Sequence, residues 1–332
     1  MRVTRRKAIL FALGGGATLA GLRQLPRSQQ AVTRTSRALG ADVSMTVLGL
    51  APAAAERALD AAFGEIEDVE RLMSIYRPDS QLSILNRTGR LDDAHPYFIQ
   101  VLQAADEAWR LSGGAFDATV QPLWDAYSAA KANGRFPTTA ELAAARAKVD
   151  WRRVEIKGRQ VRLHGEGTAL TFNGIAQGFA ADWAVAALRW HDVEHALINT
   201  GELRAIGPKL DGRAWTVGIQ HPREPEAYVS LAGLSGRSLA TSGDYETTFS
   251  TDFRKNHIFD PRTGDSPTEL ASASIAAPTA MQADALSTTA MVLGAQRTLA
   301  LVDRLPQVDA LLVLKNGRTL TTPGFPELRE NA

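Results

Sequence analysis

The sequence contains no cysteine. Disulfides, thiolate nucleophiles and cysteine-ligated metals are therefore excluded. The absence also suits an oxidising compartment, where a stray thiol is a liability. Neither sign of charge is in excess: 37 Lys and Arg stand against 36 Asp and Glu, a formal net charge of +1. Nothing global directs the chain to nucleic acid or to an acidic partner. No apolar run reaches the roughly 20 residues that span a bilayer. There is no internal repeat, no low-complexity segment, no Rossmann glycine fingerprint and no P-loop.

What is present begins at the N-terminus. Thr4-Arg5-Arg6-Lys7-Ala8-Ile9-Leu10 is a twin-arginine pattern, followed by an apolar stretch from Ala8 to Leu22 that includes Gly14 to Gly16. It reads as a twin-arginine export signal, with a basic tail as the alternative. Ala20 and Ala31 are candidate cleavage points, and an uncleaved anchor is a further outcome. The expectation is export to the periplasm by the twin-arginine machinery. Residues 1–33 are set apart as signal and 34–332 are expected to form one domain.

Periodicity predicts the elements that follow. A strand with a Gly40 kink is expected over 35–49, and an amphipathic helix over 53–75. Ser80 is placed to cap a short helix reaching Leu85. Helices are expected at 95–112, 138–149, from Asn173-Gly174 to about Trp190, and at 279–303 with a break near Gly294. Short strands are expected near 153–157, 160–164, 196–199, 215–219, 229–231, 238–241, 257–259, 272–276, 309–314 and 318–321. The fold class is α+β, a mixed or antiparallel sheet with flanking helices rather than a βαβ succession.

Individual motifs carry some chemistry. Gly113-Gly114-Ala115-Phe116-Asp117 ends a helix, and its glycines allow close approach of a ligand or serve only as a cap. Asn173-Gly174-Ile175-Ala176-Gln177-Gly178 opens a helix, where free N–H groups attract phosphate, or else the small residues allow close packing. Tyr76 stands at a helix end, where it can stack on a ring. His257 leads into the turn Asp260-Pro261-Arg262-Thr263-Gly264. Asp284 and Thr288 are four residues apart, on one face of a nearly uncharged helix. A carboxylate and a hydroxyl suit Mg²⁺, while a helix N-terminus is the competing partner for the acid.

In order, these segments resemble the FAD:protein FMN transferases, the ApbE family. Tyr76-Arg-Pro-Asp-Ser80-Gln-Leu-Ser83-Ile-Leu-Asn86 resembles its Tyr-x-Pro-x-Ser-x-Leu-Ser-x-Leu-Asn. Ser112 to Asp117, Pro122-Leu123, Asn173 to Phe179, Asn199 to Glu202, Ser242 to Tyr245, His257 to Gly264 and Ala283 to Thr288 match further family segments. Three positions depart from the pattern: Leu39-Gly40-Ala41 stands for Met-Gly-Thr, Gln177 for Lys and Asn173 for Gly. The Asn-Gly-Ile-Ala-Gln-Gly form is similar to the NosX-type branch, periplasmic maturation factors of nitrous-oxide respiration.

The resemblance implies Mg²⁺-dependent transfer of FMN from FAD to a Thr or Ser hydroxyl of an acceptor, a NosR-type membrane flavoprotein, with release of AMP. It implies Asp284, Thr288 and the Gly174 backbone as metal ligands. It implies Leu39, Tyr76, Ala115, Phe116, Asp117, Gln177 and Ile258 as FAD contacts, His257 as the base and Asp244 as a second candidate base. An FAD pyrophosphatase and a non-catalytic flavin-binding maturation factor are the alternatives.

Overall fold

A computed structural model describes residues 31–328. The twin-arginine pattern and its apolar stretch lie outside the described residues. The first strand, β1 (Val32–Ala38), begins just before the boundary expected at residue 34 and pairs antiparallel with β2 (Ala41–Leu48). The single kinked strand expected over 35–49 is thus a hairpin. Its two-residue turn, Leu39-Gly40, has φ of 51° and 68°, the pair of positive values that a tight type I′ connection requires.

Next come α1 (Pro52–Met73), α2 (Gln81–Thr88), β3 (Arg90–Leu91), α3 (Pro96–Leu111), α4 (Gln121–Ala132) and α5 (Thr139–Arg146). The Ser80 hydroxyl accepts from the Ser83 N–H and caps α2, as its position predicts. The hairpin β4 (Val154–Lys157) and β5 (Gln160–Leu163) joins β3 in a small sheet. Then follow α6 (Ala176–Trp190), β6 (His195–Asn199), β7 (Leu203–Ile206), β8 (Trp215–Gln220), β9 (Tyr228–Leu234) and β10 (Ser238–Gly243). The chain ends in β11 (Leu270–Ala277), α7 (Ala280–Leu293), α8 (Ala295–Val302), β12 (Asp309–Leu314) and β13 (Thr319–Thr321). The break at Gly294, with φ of 76°, separates α7 from α8 as expected. The helix α4 and the strands β3 and β7 escape the periodicity reading.

The main sheet has the order β1-β2-β6-β7-β10-β11-β12-β13. All its neighbours are antiparallel, which resolves the expected mixed or antiparallel sheet in favour of the latter. One face carries the helices. Ile66 and Leu59 of α1 join Val185 and Leu188 of α6 over Met45 and Ile198. Farther along, Leu286 and Met291 of α7 pack on Ala273 and Ile275 of β11. The other face is covered by the β8–β9 hairpin through Trp215, Val217 and Leu234. Every residue of β11 is buried, as expected of a strand covered on both faces.

The expected strand at His257–Phe259 is instead loop. The Ile258 N–H donates to Asn256 Oδ1 and the Asn256 N–H to Ser266 Oγ. Side chains there satisfy the backbone that a sheet ladder would otherwise satisfy.

Candidate active site

A cavity of about 390 Å³ opens where several elements converge. Its walls are the β1–β2 turn, the end of α1, the 115–118 turn, the entry to α6, the middle of α7 and the loop after β10. Leu39, Tyr76, Ala115, Phe116, Asp117, Gly174, Gln177, His257, Ile258 and Thr288 all line it. Asp244 and Asp284 do not.

One wall is the seam between α6 and α7. The helices run antiparallel, with facing positions stepping by four residues along each. A Cβ on Gly174 would lie 2.8 Å from Thr288 Oγ1, and one on Gly178 would lie 2.3 Å from the Ala280 carbonyl oxygen. Asp182 of α6 faces the first residues of α7, accepting from the Ala280 and Met281 N–H groups at 2.9 Å each. In return, Asp284 Oδ2 accepts from the Gly178 N–H at 3.0 Å.

The caps are therefore exchanged. Ile175, the N-cap of α6, offers no side-chain acceptor, so an acid from the neighbouring helix supplies one. Each carboxylate meets the positive end of the other helix. Burial pushes the Asp182 carboxyl up, against the hydrogen bonds from Met281 and Ala280 and the field of Arg204.

Asp284 is 1% exposed and sits one helical turn from Thr288, which lines the cavity. Its role as a helix-capping acid, open from sequence, is present in the structure. This role is compatible with metal ligation, because a carboxylate has more than one acceptor direction. The set Asp284, Thr288 and Gly174 backbone consists of hard oxygens. Mg²⁺ takes few protein ligands and completes its shell with water and substrate phosphate. Among the described residues no cluster of three or more His, Cys, Asp or Glu stands together as a metal site. The set therefore fits a cation shared with a phosphate better than one caged by carboxylates. Ser242, assigned no role from sequence, joins this group. Its hydroxyl lies 2.7 Å from Ser287 Oγ and 3.2 Å from Thr288 Oγ1.

Gln177 stands in the first turn of α6, with its amide over Gly201. A Cβ there would come within 2.9 Å of Gln177 Nε2, and Gly201 has φ of +101°. Thr200 Oγ1 donates to the Gln177 carbonyl at 3.0 Å. The Asn199–Glu202 turn is thus the shelf that carries Gln177. Tyr76 is 57% exposed at the cavity mouth.

Asp117 lines the cavity, but its carboxylate is engaged in structure. Oδ1 accepts from the Thr119 N–H and hydroxyl, and Oδ2 accepts from the Trp151 N–H. Burial raises its pKa against those bonds. The carboxylate thus braces the turn that carries Ala115 and Phe116 along the cavity wall.

His257 Nδ1 lies 3.2 Å from the Thr247 carbonyl, which can only accept, so a neutral imidazole that donates there presents its lone pair at Nε2. The expectation that Asp244 is a second base is corrected. Asp244 is fully buried and outside the cavity. Arg223 holds it by a fork at 2.7 and 2.9 Å, and Lys315 Nζ lies 3.2 Å away. A base must reach its proton, and this carboxylate is enclosed by cations. Glu246 and Thr247, beside His257 on the cavity wall, escaped the sequence reading because no spacing singles them out.

The ApbE family profile matches residues 39–312. The chain belongs to the ApbE family. It is 31% identical to the FAD:protein FMN transferase of Treponema pallidum, over 96% of this chain and 92% of that protein. It is also 31% identical to the FAD:protein FMN transferase of Vibrio cholerae, over 79% of each chain. Among solved structures, the ApbE protein of Thermotoga maritima superposes with a TM-score of 0.81 at 27% identity, covering 91% of this chain and all of that one. This ApbE member is an enzyme, and its α+β architecture is that of the family.

Proposed function

We propose that this ApbE member is a Mg²⁺-dependent FAD:protein FMN transferase of the NosX-like branch, exported by the twin-arginine machinery to the periplasm, where it modifies a NosR-type membrane flavoprotein. The observation that carries the transferase reading is convergence. Tyr76, Phe116, Gln177, His257 and Thr288, from five separated segments, line one cavity. The export signal in the sequence and the residues Asn173 and Gln177 support the branch and the compartment.

The cavity divides the work. Phe116 and Leu39 offer apolar surface and Tyr76 an exposed ring, suited to the flat ends of FAD. The entry to α6, where Gly174 and Ala176 line the cavity, lets the pyrophosphate come close to the backbone, and Gln177 adds an uncharged amide. Asp284, Thr288 and Gly174 would hold Mg²⁺, which neutralises pyrophosphate charge and acts as a Lewis acid. His257 Nε2 accepts the proton of the acceptor hydroxyl. The hydroxyl oxygen bonds to the FMN-side phosphorus, the bond from that phosphorus to the bridging oxygen breaks, and AMP leaves with that oxygen. The Thr247 carbonyl keeps the histidine in the tautomer this requires.

The test is incubation of the purified protein with FAD, Mg²⁺ and a threonine-bearing peptide from a NosR-type flavoprotein. The expected products are a peptide carrying FMN as a phosphoester and an equal amount of AMP. FMN released free with AMP would instead make the protein a pyrophosphatase. FAD binding with no AMP would make it a binding factor.

A further inference from the structure

The segment 244–269 between β10 and β11 contains no helix or strand, yet part of it folds into an arm. The Phe249 N–H donates to the Lys255 carbonyl at 2.7 Å and the His257 N–H to the Thr247 carbonyl at 3.0 Å. Thr248 and Asn256 form an antiparallel bridge. The arm carries Glu246, Thr247 and His257 into the cavity wall. Long segments without regular structure serve function when something else fixes them.

Here two cations from other parts of the chain do the fixing. Arg223, from the β8–β9 turn, forks onto Asp244 at the base of the arm. It also places its guanidinium 4.2 Å from the centroid of the Phe253 ring near the tip. Lys315, from the β12–β13 turn, lies 3.2 Å from Asp244 Oδ2 and donates to the Phe253 carbonyl at 3.0 Å. Phe253 has φ of 60°, a conformation that a bulky side chain keeps only when its surroundings hold it. The same two cations thus grip both base and tip. Asp244 is the buried anion that lets them sit side by side, since without it two like charges would adjoin in a desolvated place.

We propose that Asp244 is a positioning residue for the transfer reaction, acting through Arg223 and Lys315 to fix the arm that orients His257. This rests on the transferase reading above. Asp244 does not touch the reacting atoms. Its carboxylate sets where Thr247 stands, and Thr247 sets the direction of the imidazole.

The test uses the full chain carrying Asp244→Asn, with Phe253→Ala as a second variant that leaves the buried charges intact. FAD affinity is followed by flavin fluorescence, transfer to a threonine peptide by single turnover, and amide exchange across residues 245–257 by mass spectrometry. In both variants exchange in the arm should accelerate while FAD affinity stays within about twofold. The transfer rate should fall by about tenfold or more, as small misplacements of a catalytic group do. The acidic limb of the pH–rate profile should persist, because His257 remains the titrating base. Should Asp244→Asn fail to fold, Phe253→Ala alone decides. Unchanged arm exchange would overturn the proposal, as would loss of the acidic limb, which would make Asp244 the base after all. If the wild type forms no covalent flavin product, the transferase reading fails, and the exchange comparison still decides whether the clasp exists.

Discussion

The α6–α7 seam and the 245–257 arm line the same cavity and are held in different ways. The seam is backbone against backbone. Gly174 and Gly178 let two helices approach so closely that a methyl group at either would meet the other helix, and two acids exchange caps across the contact. The arm has no such framework. Its position depends on side chains reaching from distant elements: Arg223 and Lys315 from turns at one side, and Lys131 of α4 donating to the Thr248 carbonyl at 2.8 Å at the other. Phe249 of the arm packs its ring against those of Tyr127 and Phe259. On the proposed mechanism, the part of the site that presents hard oxygens to a phosphate is the closely packed one. The part that must meet a protein acceptor rests on a few polar clamps, which are easier to open.

The largest effect should come from the seam. Asp284→Ala removes the cap of α6 and, on the proposed mechanism, a metal ligand as well. Transfer should fall below detection at any Mg²⁺ concentration, and the melting midpoint should drop by an amount equivalent to about 1 kcal/mol for the lost cap. Mg²⁺-dependent turnover near the wild-type rate would break the assignment. Gly178→Ala tests the packing alone. The added methyl would stand 2.3 Å from the Ala280 carbonyl, so the helices must separate, costing about 1–3 kcal/mol by overpacking. A denaturant midpoint unchanged from wild type would show that the seam is looser than its geometry.

Acid should loosen the arm. Burial pushes the Asp265 carboxyl up, but hydrogen bonds from Lys255, Tyr127 and the Ser266 N–H outweigh it and hold its pKa below the usual range. A depressed folded pKa contributes stability above the unfolded value that is lost as pH falls through the folded one. Amide exchange near 255–266 should therefore rise on acidification below about pH 4, and Asp265→Asn should remove that dependence. Equal acid sensitivity in the variant would assign the effect to another group. The smallest effect concerns Leu39. Its φ of 51° costs an L residue about 1–2 kcal/mol. Leu39→Gly should recover part of that in a thermal melt, offset by glycine's own entropy. A clear loss of stability would mean that the leucine side chain holds the turn.

The sequence made the regular parts legible. The helix α1, the Ser80 cap, the break at Gly294 and most strands of the sheet follow from periodicity and capping residues, which act over short distances. The reading failed where backbone groups find partners at long range. Leu39 gives no sign of a left-handed turn, so a hairpin read as one kinked strand. The apolar run at Ile258-Phe259 looked like a strand because nothing local reveals that Asn256 and Ser266 satisfy that stretch of chain. Asp244 read as a base because only the fold brings Arg223 and Lys315 onto it. Asp284 was legible as an acid needing a partner, and the partner it shows is the helix end across the seam.

On the proposed mechanism, His257, held by the arm, removes the proton from the acceptor hydroxyl while the seam manages the phosphate. The most direct measurement is single-turnover transfer to a threonine peptide by His257→Ala, with saturating FAD and Mg²⁺, with and without added imidazole. The variant should bind FAD with wild-type affinity, transfer about 10²–10⁴-fold more slowly, and recover in part when imidazole fills the space. Transfer at the wild-type rate without imidazole would contradict the mechanism.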